Sequence, residues 1–313
     1  MNFSDLVTEY VTYKQALGMR FDAEARELAS LCRRLGDVSV ASVTADQIQA
    51  YLNGNKAVSS YWARKRTILS GLYRFALARG YSITSPLPRY RPKLPPPFAP
   101  YIYSQAELKR LLDVAPAACG PYVPLDAYVL RTLILLLYGA CLRHGEALRL
   151  TIKDVDLEQS ILCIRETKFY KTRLVPMGKH LNTALREYMQ RRNLQFATEP
   201  DAPLLCFRDG RPLSQSAVRS AFRRQRALAN VQCAGNGGHQ QPRLHDLRHT
   251  GAVHRLIAWY RSGADLQRLL PQLATYLGHI DLVSTQRYLT LTPELLHEAS
   301  TRFESYAMET HHD

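Results

Sequence analysis

Reading along the 313-residue chain, several cations precede one tyrosine: Arg143 with Glu146, Lys168, His245 with Arg248, His279, then Tyr288. None of these residues is unusual alone; their order and local wording are informative. A phosphodiester resists attack because it already carries negative charge, and its transition state places more charge on the non-bridging oxygens. Guanidinium groups answer that need, being planar, always charged and able to hold two oxygens at once. Arg143 and Arg248 are the candidates. Glu146 lies one helical turn after Arg143 and could orient it or a neighbour. His245 lies one turn before Arg248 on the same face. Tyrosine has a pKa near 10, so a phenol nucleophile needs such cations around it. Lys168 follows a short strand pattern and could give a proton to a leaving 5′ oxygen, with Lys171 competing for that role or gripping phosphate.

Each motif has an ordinary alternative. An isolated Arg-x-x-Glu is usually a surface pair worth less than about 1 kcal/mol. With 18 tyrosines in the chain, most must be packing residues, and the apolar neighbours of Tyr260 and Tyr276 give those two core roles. His245-Asp-Leu-Arg-His249 places two histidines four apart, as in zinc-binding helices. Here aspartate replaces the glutamate base, Arg248 sets a cation beside the metal position, and His254 is the nearest further ligand, so no metal is expected.

The elements that must position these groups are mostly helical. Phe3, Leu6, Val7, Tyr10 and Val11 recur at helical spacing, as do Leu28, Leu31, Cys32 and Leu35 before Gly36. Thr44 with Gln47, and Ser104 with Glu107, have the form of capping boxes. Ser59–Arg79 forms an amphipathic pattern whose cations Arg64, Lys65 and Arg66 are candidate DNA contacts. Residues 86–101 are proline-rich and basic, with Arg89, Arg91 and Lys93 suited to follow a phosphate backbone. They separate a helical unit, 1–85, from a larger unit, 102–313. In the larger unit, Leu130–Leu137 predicts a buried helix. Val155–Leu157, Ile161–Ile164 and Arg173–Val175 predict a small antiparallel sheet, with Arg173 a further candidate DNA contact.

The net charge of +14 and pI of about 9.6 favour a polyanionic partner, nucleic acid before membrane. The longest apolar run, Leu133–Tyr138 with Gly139 and Ala140, is too short to span a bilayer, and the first residues lack the pattern of a signal peptide. Cys32, Cys119, Cys141, Cys163, Cys206 and Cys233 form no C-x-x-C pair and are expected to be reduced thiols.

Four segments together resemble the tyrosine recombinases of the phage integrase family: Gly139–Leu148, Thr167–Pro176, His245–Thr250 and Tyr276–Tyr288. The resemblance spans almost the whole chain and keeps the family's order. It implies a helical, SAM-like core-binding domain joined to an α+β catalytic domain, closing as a C-shaped clamp around double-stranded DNA. It implies that Arg143, Lys168, His245, Arg248 and His279 activate the phosphate, with Glu146 in support. Tyr288 would form a 3′-phosphotyrosyl bond and free a 5′ hydroxyl, with no metal, cofactor or ATP. The implied assembly is a homo-oligomer on DNA, tetrameric in synapsis, working with other recombinases of the same element. The implied setting is the nucleoid of a prokaryotic cytoplasm. Gly145 departs from the serine common in relatives. The long Thr250–Gly278 stretch and the wording of 269–279 and 291–296 look more like recombinases of transposons and other mobile elements. Two rivals are a type IB topoisomerase and a DNA-binding architectural protein without catalysis. After Tyr288, residues 293–308 predict an amphipathic helix, packing on its own core or docking on a neighbouring protomer.

Overall fold

The computed structural model describes residues 1–313 except 55–57, 95–98, 121–122, 166–171, 234–240, 291–296, 298–299 and 302–313. The chain divides into two units, Met1–Pro97 and Phe98–Asp313, and the division falls within residues 86–101.

Among its described residues the first unit packs the α-helices α1 (Phe3–Ala16), α2 (Asp22–Leu35), α3 (Ala45–Asn53) and α4 (Ser60–Ala78). Phe3, Leu6, Leu28, Leu31, Ile48, Leu69 and Leu72 fill its core. The capping box that opens α3 forms: the Gln47 N–H donates to Thr44 Oγ1 at 3.3 Å, and the Thr44 N–H donates to Gln47 Oε1 at 2.9 Å. One expectation on α4 is corrected. Lys65 falls between Trp62 and Leu69 at helical spacing, so it shares the buried face instead of the solvent face. Its ammonium donates to the Tyr51 carbonyl at 2.5 Å and lies 4.6 Å from the Tyr51 ring centroid. Desolvation lowers its pKa. Arg64, by contrast, is exposed, and Arg66 donates to the Pro88 carbonyl.

The second unit begins with α5 (Gln105–Asp113), α6 (Ala115–Ala118), α7 (Ala127–Gly139) and α8 (His144–Ala147). The α5 capping box also forms, between Ser104 and Glu107. Helix α7 is apolar nearly all round and is buried along Val129, Leu130, Leu133, Ile134, Leu136 and Leu137. Strands β1 (Val155–Asp156), β2 (Ile161–Ile164) and β3 (Arg173–Pro176) make an antiparallel sheet in the order β1-β2-β3. Leu162 pairs with Val155 on one side and with Val175 on the other. Leu162, Ile164 and Val175 turn into the core. The helices α9 (Lys179–Asn193), α10 (Gln215–Leu228), α11 (Asp246–Arg261), α12 (Leu266–Leu277) and α13 (Val283–Gln286) follow, and the 3₁₀ segment Arg287–Thr290 carries Tyr288. The fold is thus mainly helical with a small antiparallel sheet.

Helices α7 and α11 approach closely, and Gly251 permits it. A Cβ there would stand 2.2 Å from the Tyr138 carbonyl oxygen at the end of α7. No helix among the described residues is long and apolar enough to cross a membrane.

Candidate active site

The site is assembled at the C-terminal end of α12. The last carbonyls of a helix lack partners within it and carry the negative end of its dipole. Here three consecutive carbonyls each hold a different arginine. Arg173 Nε donates to Tyr276 at 3.1 Å, Arg248 Nη2 to Leu277 at 2.6 Å, and Arg143 Nη2 to Gly278 at 2.9 Å. Gly278 makes this possible by ending the helix with φ +67° and ψ 42°, in the left-handed region. The arginines come from three separate elements: β3, α11 and the residue that opens α8.

Glu146 is the opposing charge. It is buried, and both its oxygens are committed. Arg173 donates to Oε1 at 3.0 Å and to Oε2 at 2.8 Å, while Arg143 Nη1 donates to Oε1 at 2.8 Å. The Arg143 backbone N–H donates to Oε2 at 2.9 Å, and Arg248 Nη1 stands 3.9 Å away. Burial alone would raise the carboxyl pKa, but the bonds to Arg173 and Arg143 outweigh it and bring it down to about 2. Glu146 therefore stays ionised across the physiological range.

Arg248 is 2% exposed and donates a second bond to the Cys141 carbonyl at 2.6 Å. Cys141 adopts φ +50°, which turns that carbonyl toward the site. Burial and neighbouring Arg143 pull the Arg248 pKa down to about 10, leaving it charged at neutral pH. Arg143 is more open, its side chain 37% exposed, and can meet an incoming anion.

Tyr288 sits among these groups at 3% exposure, its ring within the cluster of Cys141, Ala252, Val253, Leu256, Leu273 and Leu277. Its ring stacks on His279 at 6.1 Å and 15°. His279 Nδ1 is held by Thr285 Oγ1 at 2.7 Å, and its Nε2 lies 3.4 Å from Arg248 Nη2. Burial raises the phenol pKa, against the lowering effect of Arg248. His245, at the start of α11, faces the His249 ring edge to face at 4.9 Å. Burial first, then neighbouring charges, lower the pKa values of His245, His249 and His279 to about 4.

Of the residues singled out in the sequence, Arg143, Glu146, His245, Arg248, His279 and Tyr288 come together. Lys168 and Lys171 lie outside the described residues. Arg173 is corrected: expected on DNA, it is turned inward, its side chain 11% exposed against Glu146. The β3 register contributes, because Arg173 pairs with the buried Ile164, and its guanidinium reaches the Tyr276 carbonyl at the end of α12. Arg89, Arg91 and Lys93 are exposed in the first unit. The sequence reading missed two participants. His249 Nδ1 lies 3.0 Å from the Tyr288 hydroxyl, and Thr285 orients His279. The i, i+4 spacing from His245 was the available signal for His249, and it pointed toward metal instead. A Cβ at Gly145 would meet nothing nearer than Arg149 Nη1 at 3.5 Å, so a serine would fit there.

Comparisons with known proteins place the chain by sequence and fold. The pattern of the phage integrase family matches residues 103–294. The integrase/recombinase y4rB of Sinorhizobium fredii is 33% identical over 307 residues, covering 96% of this chain and 97% of the relative. Among solved structures, the Tn1549 transposon integrase in complex with transposon right end DNA aligns with a TM-score of 0.69 at 18% identity. That alignment covers 98% of this chain and 100% of that one. A lambda integrase tetramer bound to a Holliday junction aligns with a TM-score of 0.65 at 18% identity, covering 90% and 78%. The chain belongs to the phage integrase family of tyrosine recombinases, enzymes that cut and rejoin DNA strands.

Proposed function

We propose that this protein is a site-specific recombinase of a mobile element, acting through a 3′-phosphotyrosyl intermediate. The observation that carries this reading is the convergence of Tyr288 with Arg143, Arg248 and His279 around one buried phenol. A purely architectural DNA-binding protein has no use for a nucleophile in that setting.

In this mechanism Arg143 and Arg248 grip the non-bridging oxygens of the scissile phosphate, with His279 as a further donor. Glu146 and Arg173 hold the guanidiniums in place. Tyr288 Oη attacks phosphorus as the bond to the 5′ oxygen breaks, and Lys168 supplies the proton for that oxygen. The phosphotyrosyl bond keeps the energy of the phosphodiester, so a 5′ hydroxyl can reverse the step without ATP. His245 acts within the same phosphate pocket.

The partner is double-stranded DNA. Arg64, Arg89, Arg91, Lys93 and Lys171 contact its backbone. The working assembly is a tetramer in synapsis, and other recombinases of the same element are further partners. The tetrameric junction complex of lambda integrase and the DNA complex of the Tn1549 transposon integrase support this reading by fold.

The test is a suicide substrate, nicked near the cleavage position and built from sequences flanking the gene. A covalent protein–DNA adduct from the wild type, lost in Tyr288→Phe, supports the proposal. An adduct that persists in Tyr288→Phe refutes the assigned nucleophile. Relaxation of supercoiled DNA regardless of sequence, with no joined products between sites, would favour a topoisomerase.

A further inference from the structure

The mechanism above leaves one step without a named group: the departure of the Tyr288 proton. The phenol is 3% exposed, so bulk water does not reach it freely. One polar side chain is hydrogen-bonded to its oxygen: His249 Nδ1 lies 3.0 Å from it. The Arg248 charge close by favours the phenolate. In the tautomer with its proton on Nε2, neutral His249 presents an unprotonated Nδ1 that accepts the phenol O–H.

We propose, on the basis of the recombinase reading, that His249 accepts the Tyr288 proton during strand cleavage and returns it during rejoining. As Oη bonds to phosphorus and the P–O5′ bond breaks, the phenol proton passes to Nδ1. The leaving oxygen takes its own proton from a separate donor, Lys168. In the reverse step the 5′ hydroxyl attacks as its proton returns to Lys168, the tyrosyl oxygen leaves, and Nδ1 gives that oxygen its proton back.

The surroundings of His249 suit this work. Its ring lies 5.5 Å from that of Tyr288, and its edge contact with His245 limits rotation. On and before α11 the charged and titratable neighbours are Arg243, His245 and Arg248. From the α12–α13 turn comes His279. On the phenol side stand Arg143 and Cys141. In the DNA-free protein burial first, and then the neighbouring cations, hold the imidazole neutral, at about 4, and ready to accept. A bound phosphate brings negative charge to Arg143, Arg248 and His279. Its transition state adds more, which raises the basicity of His249 as the proton moves.

The experiment compares wild type with His249→Phe and His249→Asn on the suicide substrate, from pH 6 to 9. DNA binding and thermal unfolding confirm that each variant is folded, and the asparagine variant preserves polarity where phenylalanine preserves bulk. Adduct formation should slow by about 100-fold. Its logarithm should then rise by about one for each pH unit, because hydroxide replaces the missing base, while the wild type stays flat above pH 7. The defect should remain on a substrate with a 5′-bridging sulfur, whose leaving group needs no proton. A slower variant with the wild-type pH profile would show only packing and overturn the proposal. So would rescue by the sulfur substrate, which would place His249 on the leaving group. A variant as fast as wild type overturns this proposal alone, whereas no adduct from any protein overturns the recombinase reading with it.

Discussion

Replacing Glu146 with glutamine removes one charge and almost no volume. Its carboxylate pairs with Arg143 and Arg173, with Arg248 just beyond bonding range. The carboxyl pKa falls from the usual range near 4.5 to about 2. At about 1.4 kcal/mol for each tenfold in ionisation, the ionised form contributes about 3 kcal/mol to folding. Removing one partner of a buried charge cluster costs a similar amount, about 3–5 kcal/mol, because the remaining charges are left uncompensated. The folded-state pKa is depressed, so this stabilisation is fully present above about 4.5 and disappears as pH falls through about 2. Glu146→Gln should therefore lower the melting temperature of the catalytic unit by about 6–12 °C at pH 7, at about 2–4 °C per kcal/mol. The gap should narrow below pH 4.5 and close near pH 2. Differential scanning calorimetry from pH 7 to pH 2.5 measures it. Equal melting temperatures at pH 7, or a gap that does not shrink with acid, would refute the reasoning.

Gly278→Ala should cost about 1–2 kcal/mol from the left-handed backbone alone, and its Cβ would stand 2.9 Å from Arg173 Nη1. We expect both lower thermal stability and slower adduct formation, read by calorimetry and by gel. Lys65→Met should leave the salt dependence of DNA binding unchanged, because the ammonium is spent on the Tyr51 carbonyl. Arg91→Ala should reduce the slope of log K against log salt by about one phosphate contact; fluorescence anisotropy across a salt series separates the two. Deleting residues 293–313 should preserve DNA binding and impair assembly on DNA, and unchanged synaptic complexes on native gels would contradict this.

Much of the architecture was legible because it rests on local chemistry. Capping residues at Thr44 and Ser104, the apolar run of α7 and the β-branched strands declared their elements without help from tertiary contacts. The ordered cations near Tyr288 were likewise visible as a set. What could not be read was which way each cation turns. Lys65 sits in a basic run yet shares a face with Trp62 and Leu69, so packing decided its place. Arg173 belongs to a basic hairpin yet meets Glu146, 27 residues earlier in the chain, an encounter fixed by the sheet register and the end of α12. His249 was read against a metal-binding pattern on one helix. Its partner is a phenol 39 residues later, which no local spacing reveals.

The central claim is that Tyr288 itself takes the DNA phosphate. Trapping the adduct on a suicide substrate, digesting protein and DNA, and sequencing the modified peptide by mass spectrometry tests it most directly. The nucleotide remnant should be found on the Tyr288 phenol through a 3′ phosphate. A remnant on Tyr276, Tyr260 or any other residue, or attached through a 5′ phosphate, would contradict it.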